Sequence, residues 1–232
     1  MERIYRICGL NISCDFRERT MTARAEKYLS EGEPDLLIRH DSSLYPELKR
    51  RNPALDDNEC EVIVTANRFY RSLLDFGGFM LHSSAVAVDG RAYLFSAPSG
   101  TGKSTHTELW LKLFGERAYI LNDDKPALCV TDSGIMACGT PWSGKSDLNV
   151  NAQLPIGGIC VLKRSEQNYI RRMDEGAAVY SLLNQTIRPE DGGAMSKLLS
   201  LLDEVVRAVQ VWEMGCNISL EAAQMAYDAM SV

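Results

Sequence analysis

The stretch that most limits how this chain can fold is residues 91–115, RAYLFSAPSGTGKSTHTELWLKLFG, where an apolar run, a glycine-rich turn and a helix start follow one another directly. Ala97-Pro98-Ser99-Gly100-Thr101-Gly102-Lys103-Ser104 has the spacing of a phosphate-binding loop, with Ala97 in place of the first glycine of that pattern. Such a loop must turn backbone N–H groups toward phosphate oxygens, and Gly100 and Gly102 permit the dihedrals that do so. Lys103 would reach the terminal phosphates. Ser104 would offer its hydroxyl to Mg²⁺, and the N-terminus of the following helix favours an anion. Ser99, Gly100, Thr101, Gly102, Lys103, Ser104 and Thr105 are therefore the candidate nucleotide-binding residues.

A second stretch, Gly139-Thr140-Pro141-Trp142-Ser143-Gly144-Lys145-Ser146, matches the strict pattern better but in the wrong context. Pro141 and Trp142 fill the middle of the loop, and the following DLNVNAQLP lacks helical periodicity. It is expected to be a loop after a strand. Lys145 either points into the same site as an extra cation or is a solvated loop lysine.

A chain of 232 residues with 45% hydrophobic content can form one large domain, or one domain with a small appendage. Its net charge of −6 argues against a nucleic-acid or anionic-membrane surface as the main partner. Seven scattered cysteines without a C-x-x-C pair read as reduced, mostly buried thiols of a cytoplasmic protein. No secretory segment opens the chain, and no apolar run approaches the about 20 residues needed to span a bilayer.

Residues 1–57 form a small β-rich region, with one or two strands over Glu2 to Phe16, another over Asp35 to Arg39, and Arg39, Lys49, Arg50 and Arg51 on a solvated face. Residues 58–232 form the core with C-terminal helices. A helix begins at Asn58, capped with Glu61, and carries a stripe of Val62, Ala66, Phe69, Leu73 and Phe76. The runs at 80–88 and 91–97 flank Asp89-Gly90, which suits a two-residue hairpin turn. Its register pairs Val88 with Arg91, Val86 with Tyr93 and Ser84 with Phe95, so His82 lies beside the first residue of the loop. An imidazole there can contact a terminal phosphate or steer a proton. His106 is simply an exposed residue of the first helical turn.

A short strand over Ala118 to Leu121 runs into Asn122-Asp123-Asp124-Lys125. A carboxylate at such a strand end can hold Mg²⁺ near nucleotide phosphates, and its neighbour can take a proton from an attacking hydroxyl. Beyond it, strands are expected over 127–131, 135–140 and 156–164, the last pairing with a strand over 169–173. Helices are expected over 175–187, 195–209 and 220–230. Lys163, Arg164 and Arg188 are further cations that could touch phosphate or acceptor.

LHSSAVAVDGRAYLFSAPSGTGKST, followed by YILNDDKPAL, resembles the nucleotide-binding core shared by HPr kinase/phosphorylase, ATP-dependent phosphoenolpyruvate carboxykinase and small stand-alone free-serine and peptide-serine kinases. The resemblance implies an α/β fold with a mixed sheet, ATP with Mg²⁺, and phosphoryl transfer to a hydroxyl. It implies Asp123 as base, Asp124 and Ser104 as metal ligands, and His82 as the active-site histidine. Two departures stand out: Thr105 occupies the place of a glutamate in HPr kinases, and their arginine-glycine-rich C-terminal signature has no counterpart. The expectation is an ATP-dependent phosphotransferase acting on a small-molecule or peptide hydroxyl, with homo-oligomerisation left open. The alternative is a nucleotide-binding regulator or peptide-maturation accessory protein that keeps the loop without turnover.

Overall fold

The computed structural model describes residues 3–231 and opens with two short strands, β1 (Arg3–Ile7) and β2 (Leu10–Cys14), paired antiparallel. Cys8 and Gly9, which join them, have φ of 54° and 77°, as a two-residue hairpin turn demands. Glu2, the expected start of the first strand, lies outside the described residues. Next come α1 (Arg19–Ala25), β3 (Leu29–Ser30), β4 (Leu36–Ile38) and α2 (Tyr45–Arg51). The strands form a four-stranded sheet in the order β3-β1-β2-β4. The two helices were not expected. At seven residues each they are too short to hold without tertiary support. Met21 and Ala25 anchor α1, and Tyr45 of α2 packs with Cys60 and Val64. The basic cluster is a solvated face: Arg50 and Arg51 pair with Glu47, and Lys49 pairs with Asp57.

The long helix α3 spans Asp57–Leu73. Its capping box is Asp56 with Glu59, not Asn58 with Glu61. Asp56 accepts from the N–H of Glu59 at 2.8 Å, and the Glu59 carboxylate accepts from the N–H of Asp56 at 3.1 Å. Glu61 is instead fully buried, accepting from the N–H groups of Arg17 and Glu18 and lying 2.9 Å from His40 Nδ1. Ala66, Phe69 and Leu73 face the core as expected, whereas Phe76 is exposed.

The remaining elements are β5 (Gly78–Met80), β6 (Ser83–Val88), β7 (Arg91–Ser96), α4 (Lys103–Phe114), β8 (Ala118–Asp124), β9 (Ala127–Thr131), β10 (Gly134–Cys138), β11 (Gln153–Arg164), β12 (Tyr169–Arg172), α5 (Glu175–Leu183), α6 (Gly192–Ala208), β13 (Val211–Cys216) and α7 (Leu220–Met230). Their strands make one mixed nine-stranded sheet in the order β5-β9-β10-β11-β7-β6-β8, with β13 beside β11 and β12 beside β13. The first residues of β11 pair antiparallel with β10, and its later ones run parallel to β7 and β13, so a single strand joins the two halves. The hairpin register is the one expected, with Val88 opposite Arg91 and Ser84 opposite Phe95. Two expectations are corrected. The run at 80–88 divides at Leu81-His82, because β5 pairs with β9 while β6 pairs with β7 and β8. β12 pairs with β13, not with β11. In addition, β13 forms between two helices, where no element is expected from the sequence.

Strand β7 shows how the layers close. Tyr93 and Phe95 join Trp110 of α4 and Ala222 and Ala226 of α7 on one face, while Ala92 and Leu94 join Leu198, Leu202 and Val205 of α6 on the other. Burial on both faces explains its nearly continuous apolar run. A third cluster gathers Tyr5, Ile7, Ile12, Phe69 and Trp142 with Ala127, Cys129 and Cys138, fastening the N-terminal sheet and α3 onto β9 and β10. No described helix is long and apolar enough to cross a membrane.

Candidate functional site

The loop after β7 runs from Ala97 to Gly102, and α4 begins at Lys103, giving strand, loop and helix in the expected order. Gly100 and Gly102 have φ of 78° and 120°, and a Cβ at either would meet nothing within 4 Å. Backbone conformation, not space, requires glycine at both. Arg164, at the end of β11, donates to the carbonyls of Thr101 and Gly100. Across a trans peptide the C=O and N–H point in opposite directions, so the Gly102 N–H faces away from that guanidinium. Lys103 is buried, and its Nζ donates to the Ala97 carbonyl at 2.9 Å. Burial lowers its pKa, against an opposing pull from Asp124 and Asp123.

The carboxylate pair comes from the end of β8. Asp123 accepts from the Ser104 hydroxyl at 2.9 Å through Oδ1 and from the Ser146 hydroxyl at 2.8 Å through Oδ2. Asp124 has φ of 115°, an uncommon conformation for any residue but glycine. Its Oδ1 lies 3.2 Å from His82 Nε2, and its Oδ2 pairs with Lys125. Burial acts to raise the pKa of Asp124, but His82 and Lys125 outweigh it and hold the carboxyl well below its usual range. The imidazole is fixed from behind by Gln185, whose Oε1 lies 3.0 Å from Nδ1 and whose carbonyl accepts from the His82 N–H at 2.7 Å. Sequence reasoning missed Gln185, which follows α5 and carries no local signal of its role.

The second glycine-containing stretch is a structural loop after β10. Trp142 is its anchor, fully buried, stacked on Phe69 at 4.6 Å and donating to Thr65 Oγ1 at 3.0 Å. Arg24 of α1 donates to the carbonyls of Ser143 and Gly144 at 3.0 Å and pairs with Asp147 at 2.8 Å. The Gly144 N–H donates to the Asp123 carbonyl at 2.7 Å, which holds this loop along β8. Lys145 is exposed and borders the same cavity as Lys103.

That cavity measures about 930 Å³. Ser99, Gly100, Lys103, Ser104, Thr105, Asp123, Asp124 and His82 line one side. Thr20, Arg24, Asp56, Asn58 and Glu59 contribute from the N-terminal region and the start of α3. A second pocket of about 750 Å³ touches Gly100, Thr101, Gly102 and Thr105 and is walled by Leu109, Leu162, Ile218 and Asn217. His106, expected to be exposed, is buried against Phe95, and its Nε2 accepts from Trp110 Nε1 at 3.2 Å. Burial lowers its pKa to about 4, because the charged ring would lose its hydration there.

A lysine, a glycine loop and a helix start on one wall, facing paired carboxylates, make a pocket able to take a phosphate and a hard cation together. No protein-family model matches the chain, and no curated protein matches it in sequence. Solved structures that match include the Hpr(Ser) kinase/phosphatase from Coxiella burnetii, at 10% identity and a TM-score of 0.39, over 65% of this chain and 95% of that one. A likeness so loose carries no argument for this chain, and the functional reading rests on its own residues.

Proposed function

We propose that the chain is an ATP-dependent phosphotransferase that moves the γ-phosphoryl group to a hydroxyl, with serine, free or within a peptide, as the acceptor. The observation that carries the reading is the convergence of Lys103, Ser104, Asp123, Asp124 and His82 on one cavity. The phosphates would lie against the Gly100–Gly102 loop and Lys103, and the nucleoside in the adjoining pocket against Leu109, Leu162 and Ile218. An all-oxygen donor set of Ser104 and a carboxylate suits Mg²⁺. When bound, Mg²⁺ supplies positive charge to the phosphate oxygens.

The resemblance in sequence casts Asp123 as base and Asp124 as metal ligand. The contacts in this chain favour the reverse division, because the Ser104 hydroxyl meets Asp123 while Asp124 is backed by His82 and Lys125. Asp124, kept ionised by His82 and Lys125, would orient the acceptor hydroxyl and take its proton late, once the oxygen has bonded to phosphorus and become strongly acidic. The bond from phosphorus to the leaving ADP oxygen breaks, and Lys103 stabilises the charge that develops there.

The test is ADP release from Mg·ATP with a panel of free serine, other hydroxyl metabolites and serine-containing peptides, with Lys103→Ala as the blank. Acceptor-dependent release that vanishes in the blank is expected. Asp124→Asn should abolish turnover and keep Mn²⁺ affinity, whereas Asp123→Asn should weaken Mn²⁺ binding; the opposite pattern would restore the roles implied by the resemblance. ATP binding without release under any condition would replace the kinase reading with that of a regulatory or accessory protein.

A further inference from the structure

Cys8, Cys129 and Cys138 stand far apart in the sequence and come from two layers of the fold. Cys8 sits in the β1–β2 turn of the N-terminal sheet, Cys129 on β9 and Cys138 at the end of β10. Their three Sγ atoms lie within 4.8 Å of one another, with 3.8 Å between those of Cys129 and Cys138. Among the described residues, no other three His, Cys, Asp or Glu side chains are grouped in this way. All three lie in the apolar cluster around the N-terminal sheet, but unlike Cys60 and Cys160 they have other thiols beside them.

The spacing distinguishes between the uses three thiols can have. In the β9–β10 register Cys129 faces Met136 and Cys138 faces Ala127, so the two cysteines are diagonal neighbours. Diagonal positions in a sheet are separated by about 7–8 Å, beyond the usual reach of a disulfide. Two thiolates sharing one metal, each at a bond length of about 2.3 Å, stand about 3.8 Å apart in tetrahedral and about 4.0 Å apart in trigonal geometry. The Cys138 thiol, which donates to the Cys129 sulfur at 3.8 Å, already holds that separation. A second observation comes from the turn: Cys8 has φ of 54°, a conformation in which Asn, Asp or Gly is the relaxed choice. The turn spends a strained position on a cysteine and thereby delivers a third sulfur to the other two.

We infer that Cys8, Cys129 and Cys138 form a binding site for a thiophilic d¹⁰ metal ion that joins the N-terminal sheet to β9 and β10. Soft thiolate ligands select copper(I) or zinc(II). Structural zinc takes four protein ligands, and the group here has three, so the donor set favours three-coordinate copper(I). The inference is independent of the phosphotransferase reading, since none of the three cysteines borders the cavity that holds Lys103 and Asp123.

The experiment titrates the full reduced chain with copper(I) against a chromogenic copper(I) chelator, with a parallel zinc(II) arm. Retention of one copper(I) per chain is expected, with at least a tenfold loss of affinity in Cys8→Ser and in Cys129→Ser variants of unchanged circular dichroism. A second measurement needs no variant: alkylation of the wild-type thiols followed by peptide mapping, with and without copper(I). Metal-dependent protection confined to Cys8, Cys129 and Cys138 supports the site. No retention of either metal, retention undiminished in both variants, or protection of a different set of cysteines overturns it. Zinc(II) bound at the same three thiols in place of copper(I) overturns the choice of metal.

Discussion

His106 links the first turn of α4 to a stability that depends on pH. The ring is 3% exposed, and its pKa falls from the ordinary 6.5 to about 4 through burial. A base whose folded pKa is depressed binds its proton first in the unfolded chain, so stability is complete above the unfolded pKa and is lost as pH falls toward the folded one. With these two values, lowering the pH from 7 to 5 costs about 2 kcal/mol from this group alone. His106→Gln keeps an acceptor for Trp110 Nε1 and removes the titration. Urea unfolding of both proteins at the two pH values isolates the effect, because every group the two proteins share cancels in the double difference. The wild type should lose about 2 kcal/mol more than the variant. An equal loss in the two proteins, within about 0.5 kcal/mol, would refute the claim that His106 is held neutral by burial.

Two further outcomes follow from the packing around the second loop. Trp142→Ala removes a fully buried ring stacked on Phe69 and should cost about 3–5 kcal/mol in urea unfolding, with an unchanged denaturant slope. Arg24→Ala releases the carbonyls of Ser143 and Gly144, so amide exchange across residues 143–149 should speed up at least tenfold while α4 stays protected.

The parts of the fold that were legible in the sequence are those specified locally. Asp89-Gly90 sets a hairpin of known register, and Gly100 and Gly102 punctuate a strand running into a helix, so this stretch reads directly from residue types. The parts that were not legible depend on distant partners. RTMTARA has no capping side chain, and YPELKRR, although Pro46 and Glu47 open it and basic residues close it, is too short to hold alone; both rest on packing by Met21, Ala25 and Tyr45. VWEMGC lies between two helical stretches and becomes a strand because β11 offers a parallel edge. The same limit applies at the site. The proximity of Asp123 and Asp124 to the loop follows from their place after a strand, but their separate partners Ser104, Ser146 and His82 meet them only once α4, the loop after β10 and β6 lie beside β8.

The cavity draws its walls from two separate parts of the chain. The side that carries the glycine loop and the carboxylates comes from His82 and residues 99–124, whereas Thr20, Arg24, Asp56, Asn58 and Glu59 reach the cavity from elements packed around Trp142. Mutational drift in that far wall alters which molecules fit and leaves the loop and its carboxylates in place. The two walls can thus vary separately, and Trp142, stacked on Phe69, is the position at which they are held to one another.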